Sequence, residues 1–237
     1  MNRSISKIIS LAGWGLLLGL VLMAALSLGW ELMAWQDFGY RWLQGPIGIS
    51  ATVEQYGPLN SVRPNFQLTS VDERVRLFSA IVEGIHHRGS GLQALQYLGV
   101  DGQVLGQLLT RAELVHLNDV ARLVSWLRPV GWLAIGLALA GSLKVHFYGE
   151  MLSGQQIMAV AIVGIGLAAV VLLLFGAQGA FYWLHQVVFP EGHQWFFYYE
   201  ESLMSMMMQA PDLFGAIGLV WALLTVVLIT GWYRLIR

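Results

Sequence analysis

The stretch Phe181–Trp195, FYWLHQVVFPEGHQW, places one histidine, His185, inside an aromatic and aliphatic run that Pro190 and Gly192 then interrupt. No Asp, Glu, Lys or Arg occurs in residues 151–190. An uncharged apolar run of this length predicts a helix that crosses lipid and ends near a membrane surface. An ionisable side chain at such a place is costly unless it has a partner or a function, so His185 is the first candidate site residue.

The composition of the whole chain is that of a polytopic membrane protein. Hydrophobic residues make up 57% and charged residues 11%, and the mean hydropathy is +0.62. A soluble domain carries about 25% charged residues. The net charge of −1 gives no reason to expect nucleic acid as a partner. The chain has no cysteine, which excludes disulfides, thiolate metal sites and a cysteine nucleophile.

Hydropathy predicts an all-α fold with four transmembrane helices in a single membrane domain, residues 1–237. The predicted spans are residues 8–32, 129–147, 155–176 and 213–234, with loops at 33–128 and 177–212. The apolar core of the first span is longer than that of a signal peptide, so this span is predicted to stay uncleaved. The first loop contains loop signals and short apolar clusters, and we expect it to be helical and not a free-standing domain.

The distribution of basic residues predicts the orientation of these spans. On the side of both termini, the short segments carry one acid and five basic residues, Arg3, Lys7, Lys144, Arg234 and Arg237. The loop at 177–212 carries four acids and no Lys or Arg. The positive-inside rule therefore predicts that both termini are cytoplasmic and that both larger loops face outward.

A helix is predicted within the first loop, at residues 108–126. Thr110 and Glu113 have the spacing of a capping box at its start. Glu113, His116 and Asp119 follow at intervals of three and form one stripe that points away from the polar face. A carboxylate bound to one ring nitrogen of a histidine fixes its tautomer and leaves the other nitrogen to react. We therefore expect Asp119 to orient His116.

The functional interpretation of the histidines is that His116 and His185 converge in one outer-leaflet pocket as acid and base. The alternative is two separate interfacial histidines, each hydrogen-bonded locally. We expect His86 and His87, in the sequence HHRGSG, to be solvated loop residues. His146 is expected at the opposite membrane interface. His193 is expected at the surface, although it could join a site.

Two non-enzymatic functions remain open. Met204 and Met206–Met208 could bind a soft metal such as copper(I) together with His185 and His193, but flexible packing residues are the preferred interpretation. A structural partner in envelope assembly is the other alternative. Ser202 lacks the G-x-S-x-G context of a serine nucleophile.

Two segments resemble a known family. The first is E-x-x-H-x-x-D-V, formed by Glu113, His116, Asp119 and Val120. The second is F-x-x-x-H-Q-x-x-F-P-x-G, which begins at Phe181 and contains His185, Gln186, Phe189, Pro190 and Gly192. Both resemble signatures of the bacterial lipoprotein intramolecular transacylases, which are four-span integral membrane proteins. His193 stands where this resemblance leads us to expect a polar amide.

The resemblance implies a multi-pass protein of the bacterial inner membrane that needs no metal or cofactor. It implies transfer of the sn-2 acyl chain from the S-diacylglyceryl cysteine of a lipoprotein to its α-amino group. His116 and His185 correspond to the two essential histidines of the family, with Asp119 as the orienting residue. The substrate-binding residues are predicted to be Glu113, Gln186, Trp195 and Tyr97. The expected partners are the lipid bilayer and a diacylated lipoprotein N-terminus.

Overall fold

The computed structural model describes residues 3–148, 179 and 182–236. Within these residues the fold is mostly helical, as predicted, with one two-stranded sheet. The helices are α1 (Arg3–Trp35), α2 (Tyr40–Ile47), α3 (Ile49–Tyr56), α4 (Val71–His86), α5 (Arg111–Tyr148), α6 (182–188), α7 (Leu203–Met208) and α8 (Asp212–Ile236). The strands are β1 (Gln96–Leu98) and β2 (Val104–Gln107).

Three helices of the described chain are long and apolar enough to cross a membrane. The candidate spans are Gly13–Trp35 in α1, Arg111–Phe147 in α5 and Asp212–Ile236 in α8. They overlap the predicted spans 8–32, 129–147 and 213–234. The predicted span at 155–176 lies outside the described residues.

The three long helices pack side by side, with α1 in contact with both α5 and α8. Indole N–H groups link them inside the apolar bundle. The Nε1 of Trp221 donates to the carbonyl oxygen of Leu26 at 2.9 Å, and the Nε1 of Trp232 donates to the Oγ of Ser142 at 2.7 Å. A polar group buried in an apolar environment is costly when unpaired, so these bonds favour one arrangement of the helices.

Helix α5 continues from the predicted loop helix at 108–126 into the predicted span at 129–147 without a break. Pro129 lies inside it. A proline in a helix removes one backbone hydrogen bond, and spanning helices tolerate this when neighbouring groups compensate. The predicted boundary at residue 129 is therefore a position within a single helix. One continuous helix carries His116 and reaches into the bundle.

The segments outside the bundle share one apolar core. It contains residues from the first predicted loop, from the segment before α8 and from the first turn of α8, including Tyr40, Phe66, Leu77, Tyr97, Leu108, Met206, Met207 and Leu213. Hydrogen bonds join the two segments, from the hydroxyl of Tyr40 to the carbonyl of Met207 at 2.8 Å and from the amide of Ser61 to the carbonyl of Glu200 at 3.1 Å. The residues of the first predicted loop therefore pack against the segment that precedes α8.

The β-hairpin between α4 and α5 was not predicted. Gln96 pairs with Gln107, and Tyr97 pairs with Gly106. Gly102 in the connecting turn has a φ of +79°, a conformation that glycine adopts without strain. The Asp-Gly dipeptide at this turn is a hairpin signal that could have predicted it.

Candidate active site

The start of α5 is fixed by the predicted capping box. The amide of Glu113 donates to the Oγ1 of Thr110 at 3.3 Å, and the Oε2 of Glu113 accepts from the amide of Thr110 at 2.6 Å. The Oε1 of the same carboxylate accepts from the hydroxyl of Ser202 at 2.5 Å and from the amide of Met204 at 3.4 Å. Glu113 therefore ties α5 to the segment that enters α7, which confirms the capping prediction.

His116 lies on the next turn of α5 and faces His185 on α6. Their ring centroids are 6.5 Å apart, and the ring planes differ by 23°. The histidines are 69 positions apart in the sequence, so the fold brings them together. Both are half-buried.

Aromatic side chains surround the two imidazoles. Phe189 packs against both rings, with its ring centroid 4.8 Å from that of His116 and 5.3 Å from that of His185. Trp195 lies 4.9 Å from His185, and Phe197 lies 6.1 Å from His116. These side chains come from the sequence that follows α6. The second predicted motif therefore supplies one histidine and much of the enclosure of both.

Asp119 is bound to a third histidine. Its Oδ2 accepts from the Nδ1 of His193 at 2.5 Å, and its Oδ1 lies 3.6 Å from the guanidinium of Arg122. Its side chain is only 6% exposed, whereas that of His193 is 38% exposed. An ionised carboxylate accepts hydrogen bonds and cannot donate them, so Nδ1 of His193 carries the proton and Nε2 points away from the carboxylate.

This arrangement corrects the predicted role of Asp119. Among the described residues, the Nδ1 of His116 is enclosed by protein and has no hydrogen-bond partner. Asp119 therefore does not orient His116 through this nitrogen. Instead, it holds the turn that contains His193 against α5. The sequence missed this pair because the two residues are 74 positions apart. The signal for this pair in the sequence was an acid on the His116 side of the helix.

The predicted substrate-binding residues occupy two different places. Trp195 packs against His185, and Gln186 is exposed on α6 directly after it. Tyr97 is fully buried, and its hydroxyl donates to the carbonyl of Pro64 at 2.8 Å. Burial raises the pKa of Tyr97 above its ordinary value. Tyr97 therefore belongs to the core at the hairpin.

Glu113 is also buried completely, and both of its carboxylate oxygens accept hydrogen bonds from protein groups. In this structure its contacts are those of an anchor for α5, and no surface of the side chain is left to meet a substrate.

His86 is not a solvated loop residue, so that prediction is wrong. It is the last residue of α4 and is half-buried. Its Nδ1 lies 2.8 Å from the carbonyl of Val82, and its Nε2 lies 3.0 Å from the indole Nε1 of Trp30. The neighbouring His87 is exposed, as predicted. The indole of α1 explains the difference, because it gives the His86 ring a buried partner.

The methionines of α7 pack in the core outside the bundle. Met206 and Met207 are fully buried, and Met204 and Met208 are nearly so. This agrees with the packing interpretation. Ser202 caps α7 by accepting from the amide of Ser205 at 2.9 Å, which gives this serine a structural role.

Comparisons with known proteins identify a family and a shared fold. The family model described as lipoprotein intramolecular transacylase Lit matches residues 93–211, a range that includes His116, His185 and His193. No curated protein sequence matches the chain.

Two solved structures share the fold at 13% sequence identity. Both are of the membrane integral lipoprotein intramolecular transacylase Lit from Bacillus cereus, and the second carries a histidine-to-arginine mutation. The first has a TM-score of 0.64 and covers 99% of this chain and 95% of its own. The second has a TM-score of 0.61, with coverages of 100% and 96%. Since the family model matches half of the sequence, the chain belongs to the lipoprotein intramolecular transacylase Lit family.

Proposed function

We propose that this protein transfers the sn-2 acyl chain of a lipoprotein's S-diacylglyceryl cysteine to the α-amino group of the same cysteine. The observation that carries the proposal is the 6.5 Å separation of the His116 and His185 rings. General acid–base catalysis needs side chains within hydrogen-bond reach of the reacting group, about 2.6–3.2 Å between heavy atoms. Two imidazoles at this spacing can both contact one ester. The family of the chain supports the same reaction.

The reaction requires two proton transfers. The amine nitrogen attacks the ester carbonyl carbon, a C–N bond forms, and the C–O bond to the glycerol breaks. In our proposal His185 takes the proton from the amino group, and His116 gives a proton to the departing glycerol oxygen. The amine loses one proton and the glycerol oxygen gains one, so the reaction takes up and releases no net proton. The spacing of the rings also allows the two roles to be exchanged.

The environment of the rings supports these roles. The enclosed Nδ1 of His116 leaves Nε2 as the nitrogen that a substrate can reach. Phe189 and Trp195 cover the rings and limit the access of water, which would compete with the amine for the ester. Amine and ester belong to one substrate molecule, and well-oriented intramolecular reactions reach effective molarities of roughly 10⁵–10⁸ M.

Asp119 and His193 are positioning residues in this proposal. Their hydrogen bond joins α5, which carries His116, to the turn that precedes Trp195. Trp195 in turn packs on His185. The pair therefore fixes the distance between the two elements of the site. Gln186 and Trp195 line the entry of the acyl chain, and the whole site lies at the outer leaflet of the bacterial inner membrane.

Mass spectrometry of lipoprotein N-termini tests the proposal. Cells that express the His116→Ala or His185→Ala variant should accumulate diacylated N-termini with a free amino group. The matched control is His87→Ala, which changes an exposed histidine outside the site and should retain the N-acyl product. Full N-acylation in either site variant would remove that histidine from the mechanism.

A further inference from the structure

An open cavity of about 770 Å³ lies on α5, near the start of its exposed apolar surface. Its lining residues are Arg88, Asn118, Arg122, Ser125, Trp126 and Pro129. None of them is one of the two candidate catalytic histidines. The nearest link to that site is Arg122, whose guanidinium lies 3.6 Å from Asp119.

The turn after α4 is fitted closely against α5 and places Arg88 at the cavity. Gly89 has a φ of +85°, and a Cβ atom there would lie 2.0 Å from the Oδ1 of Asn118. A larger residue at this position would have to displace the Asn118 side chain or the turn. The amide of Asn118 is itself fixed, since its Nδ2 donates to the carbonyl of Leu114 at 2.8 Å. The turn that contains Arg88 is therefore in direct contact with α5.

The charges of the lining favour an anion. The cavity contains two guanidinium groups and no carboxylate among its lining residues. Arg122 is 67% exposed despite its ion pair with Asp119, and Arg88 is also exposed. Guanidinium groups bind phosphate through pairs of parallel hydrogen bonds, and Asn118 and Ser125 add polar groups beside them.

The surface next to the cavity favours a lipid as the source of that phosphate. Trp126 is 73% exposed, and the exposed apolar residues Leu127, Val130 and Leu133 follow it along α5. Arg122 and Trp126 are about 6 Å apart along the helix axis, at a rise of 1.5 Å per residue. A phospholipid presents complementary groups in the same order, with a charged phosphate at one end and apolar acyl chains beyond it.

We propose that this cavity binds the phosphate of an anionic phospholipid, with Arg88 and Arg122 on the phosphate and the acyl chains along α5 beyond Trp126. A soluble anion would use the arginines but would gain nothing from the apolar surface. The binding site is separate from the proposed acyl transfer, so its test does not depend on activity.

Native mass spectrometry of the delipidated protein measures this binding directly. The probes are dioleoyl phosphatidylglycerol, dioleoyl phosphatidylcholine and glycerol 1-phosphate, each titrated separately. The test variants are Arg88→Gln, which removes one charge, and Arg88→Lys, which keeps it. The matched control is Arg111→Gln, since Arg111 is exposed on the same helix but does not line the cavity.

We expect one saturable phosphatidylglycerol site that the phosphatidylcholine probe fills more weakly. Losing a charged hydrogen-bond partner should weaken phosphatidylglycerol binding roughly tenfold in Arg88→Gln. Arg88→Lys should lose less, and Arg111→Gln should bind as the wild type does. Equal binding by Arg88→Gln and the wild type would overturn the proposal. Binding of glycerol 1-phosphate as tight as that of the lipid would overturn the lipid assignment.

Discussion

Replacement of Glu113 by glutamine separates an anchoring role from a substrate-binding role. Glu113 is fully buried, and its carboxylate accepts three hydrogen bonds, from the amide of Thr110, the hydroxyl of Ser202 and the amide of Met204. A glutamine side chain has nearly the same size, but one of its two terminal groups is an NH₂ donor. In either orientation, that donor faces a group that also donates.

The expected change in the free energy of unfolding follows from these contacts. If the glutamine oxygen faces Ser202, the amide of Thr110 loses its acceptor, and a buried donor without a partner costs roughly 1–3 kcal/mol. The remaining bonds change from charged to neutral, and charged hydrogen bonds are about twice as strong. We therefore expect Glu113→Gln to lower the free energy of unfolding by about 2–4 kcal/mol. For a chain of this size, each kcal/mol shifts the unfolding midpoint by about 2–4 °C.

Tryptophan fluorescence during heating in detergent reports the unfolding midpoint, and the acyl transfer rate on a diacylated lipopeptide gives KM and kcat. Glu113→Gln should unfold roughly 4–16 °C below the wild type and, below that midpoint, should keep its KM. The control is Glu83→Gln, which changes an exposed glutamate on α4 and should shift neither quantity. A raised KM with an unchanged midpoint would refute the anchoring role.

Three further substitutions test the Asp119–His193 pair, the Arg128–Glu31 ion pair and the orientation of the protein in the membrane. Asp119→Asn keeps the shape of the pair with His193 but removes the charge of the carboxylate. We expect kcat/KM on a diacylated lipopeptide to fall roughly tenfold. Unchanged kinetics would remove the pair from the mechanism. Arg128→Met leaves Glu31 without the guanidinium that binds it at 2.7 and 3.1 Å. Because the pair is half-buried, the free energy of unfolding should fall by about 1–2 kcal/mol. Thermal unfolding measures this loss, and a midpoint equal to that of the wild type would contradict the prediction. Since the chain has no cysteine, Glu201→Cys provides a unique thiol that a membrane-impermeant maleimide should label in intact spheroplasts, whereas labelling only after lysis would invert the topology.

The parts of the site that depend on local sequence were predictable. The capping box of Thr110 and Glu113 needs only residues three positions apart, and the helical spacing correctly placed His116 and Asp119 on the inner side of α5. The meeting of His116 with His185 was one of two interpretations of their predicted position on the outer side of the membrane, and the family resemblance favoured it. No local pattern predicts a contact between residues so far apart in the chain.

The errors concern groups whose partners are distant in sequence. His86 was assigned to a loop because the HHRGSG stretch is locally polar, whereas the indole of Trp30, 56 positions away, binds its ring. Asp119 was assigned to His116, its neighbour on the helix, but its hydrogen bond goes to His193. In both cases the partner's position depends on tertiary packing, which hydropathy alone does not determine.

The length of α5 links the position of His116 to the thickness of the membrane. Its candidate span contains 37 residues, which at 1.5 Å per residue is about 55 Å. The hydrocarbon layer of a bilayer is only about 30 Å thick, so a substantial part of the helix must stand outside it. His116 lies near the N-terminal end of α5, and the helix continues from there through Pro129 to Tyr148. For the proposed acyl transfer, lipids with longer or shorter acyl chains would change the depth of the imidazoles relative to the ester, so we expect the rate to depend on bilayer thickness.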